Sequence, residues 1–477
     1  MPVINIVLED LNRMLKDNLS STDFANIIPK IGADPDEITD SEAIIEFFPD
    51  RPDLLSTEGV ARALRAFTEQ KLGLIDYEIK PPTTQMFISS EVLEIRPSIS
   101  AGIVRGVTLD DVAIKSLMEL QEKLHVTLGR KRKKVSIGIH DLSKLEGPFS
   151  YDICSPHEPA FVPLQKDYEM TPQEILEEHP KGIEYAHLLS EFNKYPIIKD
   201  SNDEVVSLPP IINGALTTIT EDSTDVLIDV TGLDDNAVES CLNIVAAALV
   251  ERGGVIEQIE LKLPSENKII PTMAPTTHDI ENSYLIKLLG FDPGQFVIFK
   301  AFRKCGMEPE LKGDNWSVKV PAYRADILHP IDLLEEVSIG IGYDEFPEFL
   351  PKETLFGKSL KSRKREENCR EIMLGIGFQE VVTLTLTSKK MLNDYTQRKS
   401  ENETEVANPV TEDYHLLRSS ILPNLLELLK NNKHRELPQR VFEIGQIVKM
   451  HTNLQSLAWM QIASKNTFSQ ARTISDS

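Results

Sequence analysis

The sequence predicts an α+β protein of several domains. Its 477 residues correspond to about three or four domains at roughly 100–200 residues each. Its apolar pattern changes character several times along the chain, from helical spacing to short apolar runs and back. Its composition, 41% hydrophobic and 26% charged, is that of a chain able to bury ordinary cores. No window approaches the ~20 apolar residues of a membrane helix. The start, with acids by Glu9 and no basic segment ahead of an apolar one, does not read as a signal peptide. A cytoplasmic location is therefore expected.

Taken in order, 1–78 reads as a small α/β module, with helices expected at 4–15 and after Thr39. A third helix follows Arg51-Pro52-Asp53-Leu54-Leu55-Ser56. Pro52 biases its predecessor away from helix, Ser56 or Asp53 can cap, and Val60, Ala63, Leu64 and Phe67 recur at helical spacing. Residues 79–268 read as an α+β domain with its own core. Short strands are expected at 86–88, 103–107, 136–139, 205–209, 211–213 and 226–230. One helix at 110–127 carries the stripe Val112, Leu117, Leu120 and Leu124, and a second at 236–252 carries close-packing alanines. Two prolines suggest a linker at 268–275. A helix at 279–289 capped by Asp279, a helix at 293–305 and strands at 308–311 and 317–320 make 269–348 winged-helix-like. Residues 349–477 read as a further domain with helices at 362–375 and 420–433 and strands at 380–386 and 440–448, ending in a short polar tail.

The four cysteines lie far apart and form no Cys-x-x-Cys pair, so they read as plain buried or half-buried thiols. The net charge of −24 excludes a protein that coats nucleic acid over its whole surface. Any RNA contact must be local. Arg130, Lys131, Arg132, Lys133 and Lys134 form one basic tract, and 358–370 holds a second; either can be a solvated face or a phosphate contact.

The sharpest chemical cluster is Arg324-Ala-Asp326-Ile-Leu-His-Pro330-Ile-Asp332-Leu-Leu-Glu335-Glu336. Pro330 suits a first helical position, and Asp332, Glu335 and Glu336 then share one helix face with Asp326 one loop upstream. The acids repel one another unless a cation is present, and an all-oxygen set suits Mg²⁺. An acidic first turn stabilised by the helix dipole is the competing reading.

That run, from Val320 to Val337 and followed by Gly342-Tyr343, resembles the hallmark of the phenylalanyl-tRNA synthetase β subunit. Further stretches are similar to the archaeal and eukaryotic form, in the same order. They are 47–59, where Asp50 stands at a usual Asn, then 138–142, 209–213, Asn408-Pro409 and 417–423. The resemblance implies a metal role for Asp326, Asp332, Glu335 and Glu336 beside a catalytic α subunit. It implies an α₂β₂ heterotetramer acting on ATP, phenylalanine and tRNA(Phe), with aminoacylation on α. It also implies that 349–477 is a class-II-synthetase-like antiparallel sheet domain, incomplete and non-catalytic, in a chain that ends early; Arg418 and Arg440 there read as structural.

Finally, the resemblance makes 79–268 an editing domain that hydrolyses mischarged Tyr-tRNA(Phe). Ser207, Asn213, Asp229 and Thr231 are the candidates on the matching segments, and the basic tract 130–134 is a candidate contact for the tRNA acceptor end. Asp229 and Thr231 alternate along a strand and so face one way, where the pair could orient a water; Asp229 capping a strand end is the alternative. His140 reads as a loop histidine satisfied locally. With no Ser-His-Asp arrangement legible, hydrolysis is expected to use positioned water. A free-standing RNA-binding or trans-editing factor and a degenerate, regulatory homologue with no editing are the competing readings of the whole chain.

Overall fold

The computed structural model describes residues 2–350, 356–399 and 403–476. They form a mixed α+β structure in two compact units, 1–348 and 349–477.

The chain opens with a strand, Val3–Val7, and only then a helix, Leu8–Met14, where a single helix at 4–15 was expected. The segment after Thr39 is likewise a strand, Glu42–Phe47. Both corrections have one cause: Ile4 and Ile6, and Ala43, Ile45 and Phe47, are buried at alternate positions, the period of a strand. With Ala33–Ile38 these strands make a three-stranded antiparallel sheet. The helix Thr57–Phe67 is capped as expected, Ser56 Oγ accepting the Gly59 N–H at 3.1 Å. Gly59 has no substitute here, since an added Cβ would fall 1.9 Å from the Asp53 carbonyl oxygen.

Two sheets follow. A five-stranded sheet runs in the order Ile79–Lys80, Val255–Glu257, Ser98–Arg105, Asp225–Gly232, Val135–Asp141. A seven-stranded sheet is centred on Phe149–Cys154 and Gln85–Ile88 and ends at Val205–Leu208 and Ile212–Asn213 on one side. Alternation sorts the five-stranded sheet into two faces. Val226, Ile228 and Val230 join a core under the helices Asp111–Val126 and Asp235–Glu251. Leu227, on the opposite parity, joins a second core with Phe149, Tyr151 and Ile198 of the other sheet. Both helices lie within a residue of their expected starts, capped by Asp110 and Asp234, but in the first helix Ala113 rather than Val112 joins Leu117, Leu120 and Leu124 in the buried stripe.

The middle region has cores of its own, one around Phe149, Tyr151 and Leu227 and one around Ile175, Leu208 and Ile211, and it shares a third with the N-terminal module. One apolar cluster runs from Ile4 and Phe47 to Val245 and Ile256, and Arg252 crosses it to bind Asp10 at 2.7 Å and to pair with Glu58. The expected linker at 268–275 is partly a strand, Asn267–Ile270, paired with Ile259–Lys262. Asp279 caps nothing: it lies in the strand Thr276–Glu281, opposite Ser317, and the helix is Asn282–Leu289. That strand, Asn315–Val320 and Glu308–Lys312 form a three-stranded sheet against the helices Asn282–Leu289, Gln295–Lys304 and Pro330–Ile341.

In the second unit the helices are Lys361–Gly375 and Leu422–Asn431, and the long hairpin Gln439–Lys449 with Thr452–Ile462 is its main sheet. The single strand expected at 380–386 is split into Gln379–Glu380 and Leu386–Thr387, which pair in different sheets. The expected polar tail is a helix, Phe468–Asp476. Arg418 is buried against Glu443 at 2.7 Å. Cys369 is exposed, unlike the other three cysteines. Among the described residues no helix is long and apolar enough to cross a membrane.

Candidate functional site

The parity that sends Leu227 toward the second sheet sends Asp229 and Thr231 the same way, and in the neighbouring strand Ser136, Gly138 and His140. Polar side chains are thereby forced into the space between the sheets. A cavity of about 330 Å³ opens there, lined by Asp229, Gly138 and Ser136, by Ser207 and Asn213 of the other sheet, by Thr217, and by apolar residues including Ile114, Met118 and Ile211. Ser207 and Asn213 are direct cross-strand partners.

Three of the four editing candidates therefore converge. Ser207 is 2% exposed and its Oγ has no partner among the described residues, which leaves a buried hydroxyl unsatisfied in the cavity wall. Thr231 is not in the wall. Its hydroxyl lies 3.0 Å from Ser136 Oγ and accepts from Arg96 Nε at 3.1 Å, so the expected Thr–Asp pair does not form. Burial pushes the Arg96 guanidinium down to about 10, against the opposing pull of Tyr151 and Asp229.

Asp229 has a different partner. Its Oδ2 lies 2.7 Å from His140 Nε2, and His140 Nδ1 lies 2.7 Å from Thr217 Oγ1. His140 is thus no loop histidine; it is a fully buried strand residue with non-local partners. A hydroxyl–imidazole–carboxylate chain exists after all, hidden from the sequence because its members are 77 and 89 residues apart. Gly138, opposite Asp229 in the ladder, makes room for it: an added Cβ would lie 1.9 Å from Asp229 Oδ2. The alternation Ser136-x-Gly138-x-His140 was a legible sign of a polar strand face, whereas nothing in the sequence marked Thr217.

The basic tract is not one surface. Arg130, Lys131 and Lys133 are exposed and Lys134 pairs with Asp234 at 3.4 Å. Arg132 turns inward into the cavity wall, donating to the Ile211 carbonyl at 2.8 Å and to Glu122 at 2.8 Å and stacking over Tyr185. It has left the role of a solvated phosphate contact. Three successive residues with positive φ, Arg130, Lys131 and Arg132 (47°, 55° and 63°), produce this reversal. On the same wall His125 Nε2 accepts the Ile137 N–H at 2.9 Å, and burial lowers the pKa of the imidazole.

The acidic run lies in a separate cleft of about 670 Å³, which Asp326, Asp332, Glu335 and Glu336 all line together with Asp50. Pro330 is in the first turn of the helix Pro330–Ile341, as expected. The cation among the acids is Arg324, whose fork binds Asp326 at 2.6 and 2.8 Å and Glu336 at 2.6 and 3.0 Å. Asp332 Oδ2 accepts the Leu328 and His329 N–H groups in a capping box. Glu335 keeps an open carboxylate, raised in pKa by partial burial and by Glu336, Asp50, Asp332 and Asp326. Among the described residues no three acids stand together as a ligating group. The donor set does not fit a Mg²⁺ chelated by four carboxylates. It does fit one that keeps several waters and takes only one or two acids directly.

The chain thus carries two separate candidate sites, a polar-lined pocket between two sheets and an acidic cleft. Family models for the B3/4 domain, the tRNA synthetase B5 domain and the phenylalanyl tRNA synthetase beta chain CLM domain match residues 78–261, 278–343 and 346–466. Phenylalanine–tRNA ligase beta subunits from Methanosarcina barkeri and Methanococcoides burtonii are 44% and 41% identical over all of this chain, which spans 87% and 88% of their lengths. A crystal structure of an N-terminal fragment of the Pyrococcus horikoshii phenylalanyl-tRNA synthetase β subunit superposes with a TM-score of 0.69 at 34% identity, covering 71% of this chain and 99% of the fragment. The chain belongs to the phenylalanine–tRNA ligase beta subunit family.

Proposed function

We propose that this chain works with a phenylalanyl-tRNA synthetase α subunit in an α₂β₂ cytoplasmic enzyme. The α subunit carries ATP, phenylalanine and the aminoacylation step, and this chain hydrolyses Tyr-tRNA(Phe) formed in error. The observation that carries the editing reading is the cavity with largely apolar walls, lined by Asp229 and by an unpartnered, buried Ser207 hydroxyl. A pocket selecting phenylalanine rejects tyrosine poorly, since tyrosine only adds a hydroxyl. A second pocket that hydrogen-bonds that hydroxyl rejects phenylalanine well, because its own polar groups are then left unpaired. Ser207 is the group proposed to meet the phenol. In the reaction, water oxygen bonds to the ester carbon, the carbon–oxygen bond to the ribose breaks, and the ribose oxygen takes a proton.

The test is deacylation of Tyr-tRNA(Phe) and Phe-tRNA(Phe) by the reconstituted complex. Hydrolysis of the tyrosyl ester, lost in Ser207→Ala and Asp229→Ala with charging intact, supports the reading; equal stability of both esters overturns it. In the acidic cleft, Glu335 with Asp332 is proposed to hold a hydrated Mg²⁺, which when bound would supply positive charge to the acids Arg324 leaves uncompensated. Calorimetric Mg²⁺ titration of the complex, with Glu335→Gln as control, decides it: identical heats return the acids to the Arg324 network and the helix cap.

A further inference from the structure

The Thr217–His140–Asp229 chain is not needed to contain tyrosine, yet it is built with unusual restriction. His140 is wholly buried, both of its nitrogens are engaged at 2.7 Å, and the carboxylate fills the space that the missing Gly138 side chain leaves. An ionised Asp229 can only accept, so Nε2 carries the proton toward Oδ2. In that tautomer Nδ1 is the acceptor, 2.7 Å from the Thr217 hydroxyl, whose other neighbour is the Gly214 carbonyl at 3.3 Å. Contacts at both ring nitrogens hold the imidazole in place and, through Oδ2, tether the carboxylate. Oδ2 is taken. No hydrogen bond from the described residues reaches Oδ1, which is not among the buried unpartnered atoms, and Asp229 lines the cavity.

We propose that His140, held by Thr217, is a positioning residue that orients Asp229 so that Oδ1 receives a proton from the hydrolytic water. This rests on the editing reading above. As the water oxygen adds to the ester carbon, its proton passes to Oδ1; as the carbon–oxygen bond breaks, that proton passes to the ribose oxygen, and Asp229 is ionised again. His140 touches neither substrate nor water. Its contribution is geometric, and misplacing a reacting group by about 1 Å costs up to about 100-fold.

Two amides separate the halves of the ring's role. His140→Gln places an N–H near the Nε2 position and keeps the donor to Asp229; His140→Asn places its amide near Nδ1 and loses that donor. The experiment measures steady-state hydrolysis of Tyr-tRNA(Phe) by the full chain in its synthetase complex, with phenylalanine charging and thermal unfolding followed in parallel. His140→Asn is expected to lower kcat about 10–100-fold at unchanged KM. His140→Gln should retain activity within about threefold, a rescue that a purely structural role would not give. Thr217→Val, close in volume, should lower kcat in the same direction and carries the test if His140→Asn does not fold. A rise in KM at constant kcat, or equal loss in both amide variants, overturns the positioning role while leaving editing intact. Absence of hydrolysis by the wild-type chain overturns both.

Discussion

At the scale of single residues, two places concentrate the chemistry, and each depends on what a neighbour lacks or supplies. Gly138 supplies absence. In Gly138→Ala the new Cβ would lie inside the Asp229 carboxylate, so the carboxylate must move. Tyr-tRNA(Phe) hydrolysis should fall by about 100-fold, while denaturant unfolding shows a loss of only about 1–3 kcal/mol, the usual cost of overpacking. Arg324 supplies charge. It is 6% exposed and bonded to two acids, one of them 4% exposed. Arg324→Met leaves Asp326 and Glu336 without a counter-ion and should cost about 3–5 kcal/mol in urea unfolding. Glu335→Gln, which removes a repelled charge, should be neutral or slightly stabilising in the same assay without Mg²⁺.

Among the elements, the turn after the helix Asp111–Val126 divides a tract that reads as one basic run into two roles. The backbone reverses through Arg130, Lys131 and Arg132, sending Arg132 inward and leaving Arg130, Lys131 and Lys133 in solvent. If the exposed three bind phosphates, replacing them together with alanine weakens tRNA binding. The slope of log K against log salt then falls by about 0.7–0.9 for each phosphate no longer neutralised. Arg132→Met should leave that slope unchanged and instead disturb hydrolysis, since its partners are Glu122 and the carbonyl that closes the cavity wall. Filter binding across a salt series separates the two.

For the molecule as a whole, acid sensitivity follows from buried histidine. Burial lowers the His125 pKa below its ordinary value near 6.5, so the unfolded chain binds a proton that the folded one does not. The sign is fixed: the stabilisation is complete above the unfolded value and is lost as pH falls toward the folded one. In His125→Gln, whose amide oxygen can still accept the Ile137 N–H, this dependence disappears. The stability advantage of the wild type over the variant should therefore shrink from pH 7 toward pH 5, by at most about 1.4 kcal/mol per pH unit. Chemical denaturation at stepped pH measures it; a constant difference would mean that the His125 pKa is the same in the folded and the unfolded chain.

The sequence by itself determined what depends on neighbours in the chain. The cap Ser56, Pro330 in a first turn and the apolar run that buries Val226, Ile228 and Val230 are local, and each was legible. So was the convergence of Ser207, Asn213 and Asp229, through family resemblance. Where short apolar runs were read as helices, at 4–15 and after Thr39, local propensity was ambiguous and sheet pairing decided. Tertiary structure alone decided which partner each polar group meets. Asp229 finds His140 rather than Thr231, Arg132 finds a half-buried carboxylate rather than solvent, and Asp326 and Glu336 find Arg324. The physical reason is desolvation: a polar group entering the interior must be paired there by whatever the packing of distant strands brings within reach, and sequence spacing carries no record of that distance.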